Sequence, residues 1–345
     1  MKALHSVSDL VAAGLMTPEA GDAVRTVTDR YAVALTPYLR ETLAGRTDPQ
    51  DPLYAQYVPS SAEAYSTPEE LEDPIGDGAR SPVKGIVHRY PDRVLLKPLH
   101  ACAVYCRFCF RREMVGPGGE ALTADEMDAA LAYIRDHEEV WEVVITGGDP
   151  LLLSPRRLRG IVQALSAMPH VGIVRLHSRI PAADPDRVTT ELVEALTAPD
   201  LATWVAVHIN HADELTPPVR EALARLVEAG IPLVGQTVLL KGINDSHAAL
   251  EALFRGMVRN RVKPYYLHHP DLAAGTSHFR PTLAEGQALV TGLRGRLSGL
   301  CQPTYVLDIP GGHGKAPAAA AWIEEQEDGT YQVTDFTGQV HDYRG

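Results

Sequence analysis

Apolar positions along this chain keep two different rhythms. Up to about residue 46 they recur at helical spacing. A run begins at Ser8, Thr17-Pro18 pairs an N-cap with a first-turn proline, and the period continues over 24–43. From Val94 onward the rhythm changes to short apolar runs separated by amphipathic stretches. Strands are predicted over 94–99, 142–146, 173–177, 204–209, 232–239 and 264–267, with helices between and after them. Thr123/Glu126 and Thr282/Glu285 read as capping boxes, and Ser154-Pro155 and Thr216-Pro217 as N-cap and first-turn proline. Gly230 is placed to end the helix that starts at Thr216.

Six strand–helix units in succession predict a parallel sheet with right-handed crossovers. A closed barrel of this kind has eight units. The expected fold is therefore α/β: an incomplete (β/α)6-type barrel with an N-terminal helical extension and a C-terminal segment. The expected regions are 1–82, helical and then wrapping; 83–300, the partial barrel; and 301–345, the C-terminal segment. Residues 47–82, rich in Pro, Asp, Ser and Glu, are expected to wrap over the surface. Residues 305–309 read as one more strand. A small β element is expected over 322–343, with turns at Asp328-Gly329 and Gly338, either closing the barrel's open side or meeting a neighbouring subunit.

Composition narrows the function. The 345 residues carry a net charge of −12, which argues against nucleic acid as the main substrate. No apolar run is long enough to span a membrane, and the first residues, with Asp9 among them, lack a signal-peptide layout. Three of the four cysteines are clustered, so a disulfide framework is not expected and a reducing cytoplasm fits.

Those three are Cys102, Cys106 and Cys109. Three thiolates at this spacing can hold three irons of a cubane cluster and leave the fourth iron open to a small molecule. A zinc site would want four ligands, with the distant Cys301 as the fourth, and three unliganded core cysteines are the plain alternative. Arg107, Arg111 and Arg112 make a basic neighbourhood beside them. Polar residues gather at the ends of predicted strands, where chemistry sits in such sheets: Gly147-Gly148-Asp149, His177-Ser178-Arg179 and His208. Gln236 lies inside the fifth strand. Taken alone, the double glycine is also consistent with a turn, and His208 with a core histidine. Lys315 stands in Asp308-Ile-Pro-Gly-Gly-His-Gly-Lys-Ala-Pro317. This is not a phosphate-binding P-loop, because Ala316-Pro317 follows the lysine. The glycines can bring the lysine into a crowded pocket, where it can form a Schiff base with pyridoxal phosphate; a flexible surface loop is the alternative. Arg93, just before the first strand, is on its own consistent with a surface residue.

The cysteine spacing resembles the signature of radical S-adenosylmethionine enzymes. The string Cys-Arg-Phe-Cys-Phe-Arg-Arg starting at Cys106 is similar to the lysine 2,3-aminomutase family, as are His-Arg-Tyr-Pro-Asp-Arg from His88 and Ile-Thr-Gly-Gly-Asp-Pro-Leu-Leu-Leu-Ser from Ile145. The likeness runs over about 70–317. It implies the same partial barrel and a 4Fe–4S cluster on Cys102, Cys106 and Cys109. It implies S-adenosylmethionine contacts from Gly147, Gly148, Asp149, Ser178, Arg179, His208 and Gln236. Pyridoxal 5′-phosphate is implied on Lys315, with Arg93 at its phosphate. Arg111 is implied at the substrate α-carboxylate, and Asp271 with Asp308 at a distal ammonium. His313 replaces a glycine of the family motif. His268 stands where clostridial-type members have tyrosine, which resembles the short lysine aminomutases linked to elongation factor P modification. The longer members' C-terminal zinc-binding cysteines have no counterpart here, so no zinc is expected.

The implied activity is transfer of the α-amino group of L-lysine to Cβ, giving β-lysine. Open beside it are the same chemistry on another amino acid such as arginine, a radical enzyme acting on a protein or RNA, and a non-catalytic paralogue. The implied partners are a small amino-acid substrate and an electron donor such as flavodoxin or ferredoxin, with no nucleic acid and no membrane; self-association is possible.

Overall fold

The computed structural model describes residues 2–116, 119 and 121–344. Nine strands follow one another across a single sheet in chain order: β1 (Ile86–Tyr90), β2 (Arg93–Leu99), β3 (Glu142–Gly147), β4 (Ile173–Ser178), β5 (Ala202–His208), β6 (Leu233–Val238), β7 (Val262–His268), β8 (Thr304–Ile309) and β9 (Gly314–Pro317). Pairing is parallel from β2 to β8 and antiparallel at both edges, β1 with β2 and β8 with β9. Six helical crossovers join the parallel strands, as the sequence predicts, and the fold is a partial (β/α) barrel. The expected extra strand over 305–309 is β8, the last parallel strand.

Strand alternation explains how the barrel is filled. Val94 and Leu96, Val143 and Ile145, and Val174 and Leu176 point outward and are buried against the surrounding helices, among them Leu158, Leu165, Leu223 and Leu253. The residues between them point inward: Arg93 and Leu95, Glu142 and Val144, Arg175 and His177. That inner face sets charged and polar side chains among apolar ones, and it lines a cavity rather than a dry core. The caps read from sequence at Thr123, Ser154 and Thr282 are made. Thr216 differs, because its hydroxyl bonds to the Tyr38 hydroxyl rather than the helix N-terminus.

Three further features depart from expectation. β1 is a strand that the apolar pattern did not mark. The helical period predicted over 24–43 breaks into Arg25–Arg30 and Pro37–Thr42, since Pro37 is better placed to start a helix than to continue one. The stretch before it is extended, and Leu35 pairs with Leu4. The β element near the C-terminus is an antiparallel meander, β10 (Ile323–Glu325), β11 (Tyr331–Thr334) and β12 (Val340–Tyr343). Among the described residues it is hydrogen-bonded to neither edge of the nine-stranded sheet.

The barrel's open side is bridged elsewhere. The Lys315 backbone N–H of β9 donates to the Tyr90 hydroxyl of β1 at 2.7 Å. The wrapping segment crosses the same gap. Leu71 donates to Leu272 O at 2.7 Å, and Gly76 packs directly on Gly311 and Gly312. Among the described residues no helix is long and apolar enough to cross a membrane.

Candidate active site

The inward side chains enclose a cavity of about 600 Å³, and every residue expected to touch the cluster, the cofactors or the substrate lies in its wall, whereas Arg107 and Arg112 do not. After β2 the chain enters the cysteine loop. Arg107, fully buried, donates to Glu63 through Nε (3.0 and 3.1 Å) and Nη2 (2.6 Å), and to Ala32 O at 2.9 Å. Arg112 donates to Glu63 as well, and to Gly275 O at 3.1 Å. Glu63 belongs to the wrapping segment, where it also accepts the Ser60 N–H. Burial raises its pKa, but Arg107 and Arg112 outweigh that and hold the carboxyl below its ordinary value. Removing one partner of a buried ion pair leaves charge uncompensated and costs about 3–5 kcal/mol. Glu63→Gln is therefore expected to lower unfolding stability by about that much. A urea titration checks it; a midpoint unchanged from wild type would show that the loop is held by other contacts.

Cys102, Cys106 and Cys109 are unpaired thiols on that loop. Burial pushes all three up, Cys106 to about 12. Such thiols become thiolates only when a metal compensates the charge. Among the described residues no three His, Cys, Asp or Glu side chains converge on a single ion. A cubane asks for one thiolate on each of three irons, and this donor set fits one.

Next to the loop, β3 ends in Gly147 and Gly148. A Cβ on Gly148 would lie 2.1 Å from Ala101 O, so glycine is needed for the strand end to pass the cysteine loop. Asp149 accepts from the Ser178 hydroxyl (2.7 Å), Arg179 N (2.7 Å), Ile180 N (3.1 Å) and Leu151 N (3.1 Å). Four donors fill its lone pairs. Asp149 thus ties the end of β4 to β3 with its side chain, while the residue itself lines the cavity. Arg179 spends Nε and Nη2 on Tyr57, Gln56 and Glu214, while its buried Nη1 has no partner. The Nε2 atoms of His177 and His208 are buried and unpartnered too. Burial holds both histidines well below their ordinary pKa. Buried polar atoms are rarely left without partners, so this wall suits a polar ligand.

At the other end, Asp308 and Lys315 are direct cross-strand neighbours of β8 and β9, and Lys315 Nζ lies 2.8 Å from Asp308 Oδ1. Lys315 therefore sits in a paired strand, not in a loop. The turn before it uses Gly311, Gly312 and Gly314, all at positive φ. Burial opposes ionisation of Asp308, but His268 and Lys315 outweigh it and bring Asp308 to about 2. Asp271 shares this end of the cavity. Burial first, and the Asp308 charge second, push it up to about 7. Arg111 forks onto Asp77 with Nε at 3.2 Å and Nη2 at 3.0 Å. Arg89 at 3.1 Å and Lys97 at 3.7 Å share that carboxylate. Three cations on one acid leave the wall positive. Arg93 lies 3.8 Å over the Tyr90 ring, and Arg175 pairs with Glu142 at 2.8 Å. A reactive amine beside cations and an unpartnered imidazole fits a phosphorylated aldehyde cofactor.

The sequence reading missed Tyr90, Arg175 and Tyr266 as cavity residues, and the acids Glu63 and Asp77 behind the wall. The first group had a signal, since polar or aromatic side chains fall on the inward positions of strands. The two acids had none.

A partial barrel with a three-cysteine loop after its first parallel strand defines the class of radical S-adenosylmethionine enzymes. The family model described as "Radical SAM superfamily" matches residues 96–253. The chain is 39% identical over 328 residues to L-lysine 2,3-aminomutase of Acetoanaerobium sticklandii, covering 95% of this chain and 79% of that protein. It is 38% identical over 340 residues to L-lysine 2,3-aminomutase of Fusobacterium nucleatum, covering 99% and 80%. Glutamate 2,3-aminomutase of Clostridioides difficile is 32% identical over 325 residues, covering 94% and 76%. The chain belongs to the lysine 2,3-aminomutase family. As such it is an isomerase whose cofactors are a 4Fe–4S cluster, S-adenosylmethionine and pyridoxal 5′-phosphate.

Proposed function

We propose that the protein moves the α-amino group of L-lysine to Cβ, giving β-lysine. The observation that carries this is one cavity with three thiols at one end and Lys315 with two aspartates at the other. Cys102, Cys106 and Cys109 would hold the cluster. Gly147, Gly148, Ser178, Arg179, His208 and Gln236 would border S-adenosylmethionine, with Asp149 fixing the Ser178–Arg179 turn. Lys315 would hold pyridoxal phosphate, with Arg93 at its phosphate. When bound, these groups supply a hydrogen-abstracting radical and an electron-accepting ring that carries the nitrogen.

The chain's own work is binding, orientation and exclusion of water. Arg111, already fixed by Asp77, offers a cation to the substrate α-carboxylate. Asp271 and Asp308 offer two carboxylates to the distal ammonium; a distal carboxylate, as in glutamate, would meet like charge there. A one-electron donor of flavodoxin or ferredoxin type and a reducing compartment such as the cytoplasm complete the reading. The test is anaerobic incubation of reconstituted enzyme with S-adenosylmethionine, reductant and single amino acids, with products identified by mass spectrometry. Turnover of glutamate but not lysine would overturn it.

A pH dependence follows. Asp271 is raised to about 7, so it is neutral below that pH and anionic above it. The ammonium seat is complete only when it is anionic. kcat/KM for lysine is expected to rise between pH 6 and 8 and level off above. Loss of one charged partner in a desolvated site costs about 2–5 kcal/mol, so Asp271→Asn should lower kcat/KM by roughly 30-fold or more and flatten the profile. A rise that survives in Asp271→Asn would place the titrating group elsewhere.

A further inference from the structure

Asp308 has two carboxylate oxygens, and each has a fixed neighbour. Oδ1 takes the Lys315 ammonium at 2.8 Å. Oδ2 faces His268 Nδ1 at 3.6 Å. The other nitrogen of His268 sets the tautomer. Nε2 lies 3.2 Å from the side-chain nitrogen of Gln236, which can only donate. With the Gln236 amide so oriented, Nε2 accepts and the ring proton is assigned to Nδ1, on the side of Asp308. The three residues come from adjacent strands β6, β7 and β8, in which His268 is in register with Val238 and Val306. Tyr266 packs edge-on against the ring at 5.6 Å. Burial lowers the His268 pKa, so the ring is a neutral donor. The charged or titratable groups around it are Asp308 and Lys315 from β8 and β9, Tyr266 on its own strand, and His177 and His208 from β4 and β5.

We propose that His268 is a specificity-determining residue that reserves Asp308 for a primary ammonium and against a guanidinium. This rests on the lysine reading above. A guanidinium pairs best side-on, with two N–H groups on the two oxygens of one carboxylate. With the His268 ring over Oδ2, Asp308 offers Oδ1 alone. An ammonium is a point donor and needs no fork. It can take Oδ1 of Asp308 and one oxygen of Asp271. Oδ1 is also where the protein's own Lys315 ammonium lies, so the geometry already shows a lysine head group in that seat. When Lys315 leaves to hold its cofactor, a substrate ammonium of the same chemistry replaces it without rearranging Oδ2.

The experiment compares lysine with arginine in wild type, His268→Phe, His268→Leu and His268→Asn. Asparagine keeps an N–H donor near the place of Nδ1; phenylalanine and leucine remove it. Dissociation constants are measured by calorimetry on the reconstituted enzyme without reductant, where no turnover occurs, and kcat/KM with reductant. Wild type is expected to prefer lysine. The preference should narrow about tenfold in the Phe and Leu variants, chiefly through tighter arginine binding, and persist in Asn. An unchanged preference in Phe and Leu overturns the proposal, and so does an equal loss in Asn, which would mark the ring as filler. Wild type that binds lysine while the ratio stays fixed across variants defeats only the role of His268. Wild type that binds and converts neither amino acid defeats the lysine reading and this inference with it.

Discussion

Lys315→Ala is expected to lose all pyridoxal phosphate that borohydride can fix to the protein, and to lower turnover by at least about a thousandfold. The fold commits this one amine. Its backbone N–H is clamped by the Tyr90 hydroxyl across the barrel seam, and its Nζ is held over the cavity by Asp308. Other lysines are placed differently. Lys263 donates to the carbonyls of Pro264 and Gln302, and Lys97 faces Asp77 behind the wall. Lys315→Arg separates chemistry from folding, because it keeps a cation for Asp308 and removes the nucleophile. Lys315→Arg should unfold near the wild-type midpoint, Lys315→Ala somewhat below it because Asp308 loses its partner, and both should fail to retain the label. Reduced wild-type protein is digested and the modified peptide sequenced. A label on Lys97, Lys241 or Lys263 would show that the hairpin reading is wrong.

The barrel was legible because its strands obey two constraints at once. Outward positions such as Val143, Ile145, Val174 and Leu176 must be apolar to meet the helices, which marks each strand by its apolar run. Helix starts were legible because Thr123, Ser154 and Thr282 satisfy first-turn N–H groups locally. β1 was not, since it is five residues long with only Ile86 and Val87 buried, too short for a period. β9 was hidden for another reason. Glycines and Pro317 read as a loop, yet Pro317 is tolerated because β9 is an edge strand.

The site divides in the same way. Residues whose chemistry is carried by type and spacing, such as the cysteines and Lys315, could be named in advance. Glu63 and Asp77 could not. They stand in a polar stretch where acids normally face solvent, and only the tertiary fold brings them to Arg107, Arg112, Arg111 and Arg89. Asp149 adds a role that type and spacing did not announce, since its side chain holds the backbone of the next strand end.

Cys106→Ala is expected to leave the protein unable to hold its cluster after anaerobic reconstitution, and so without turnover. Three irons need three thiolates, and Cys102 and Cys109 alone anchor two. The substitution should leave the loop in place, because Glu63 grips it through Arg107 and Arg112 rather than through sulfur. Cys301→Ala is the control that decides between metals. Cys301 is packed in the apolar core outside the cavity wall. A mononuclear zinc site would need it as fourth ligand, so zinc predicts that both variants lose metal. A cubane predicts that Cys301→Ala keeps iron and sulfide at wild-type levels while Cys106→Ala does not. Iron, sulfide and zinc are measured on each reconstituted protein, with the reduced cluster followed by electron paramagnetic resonance. Protein that takes up zinc without iron or sulfide, or Cys106→Ala that retains a reducible cluster, would end the reading on which the radical chemistry depends.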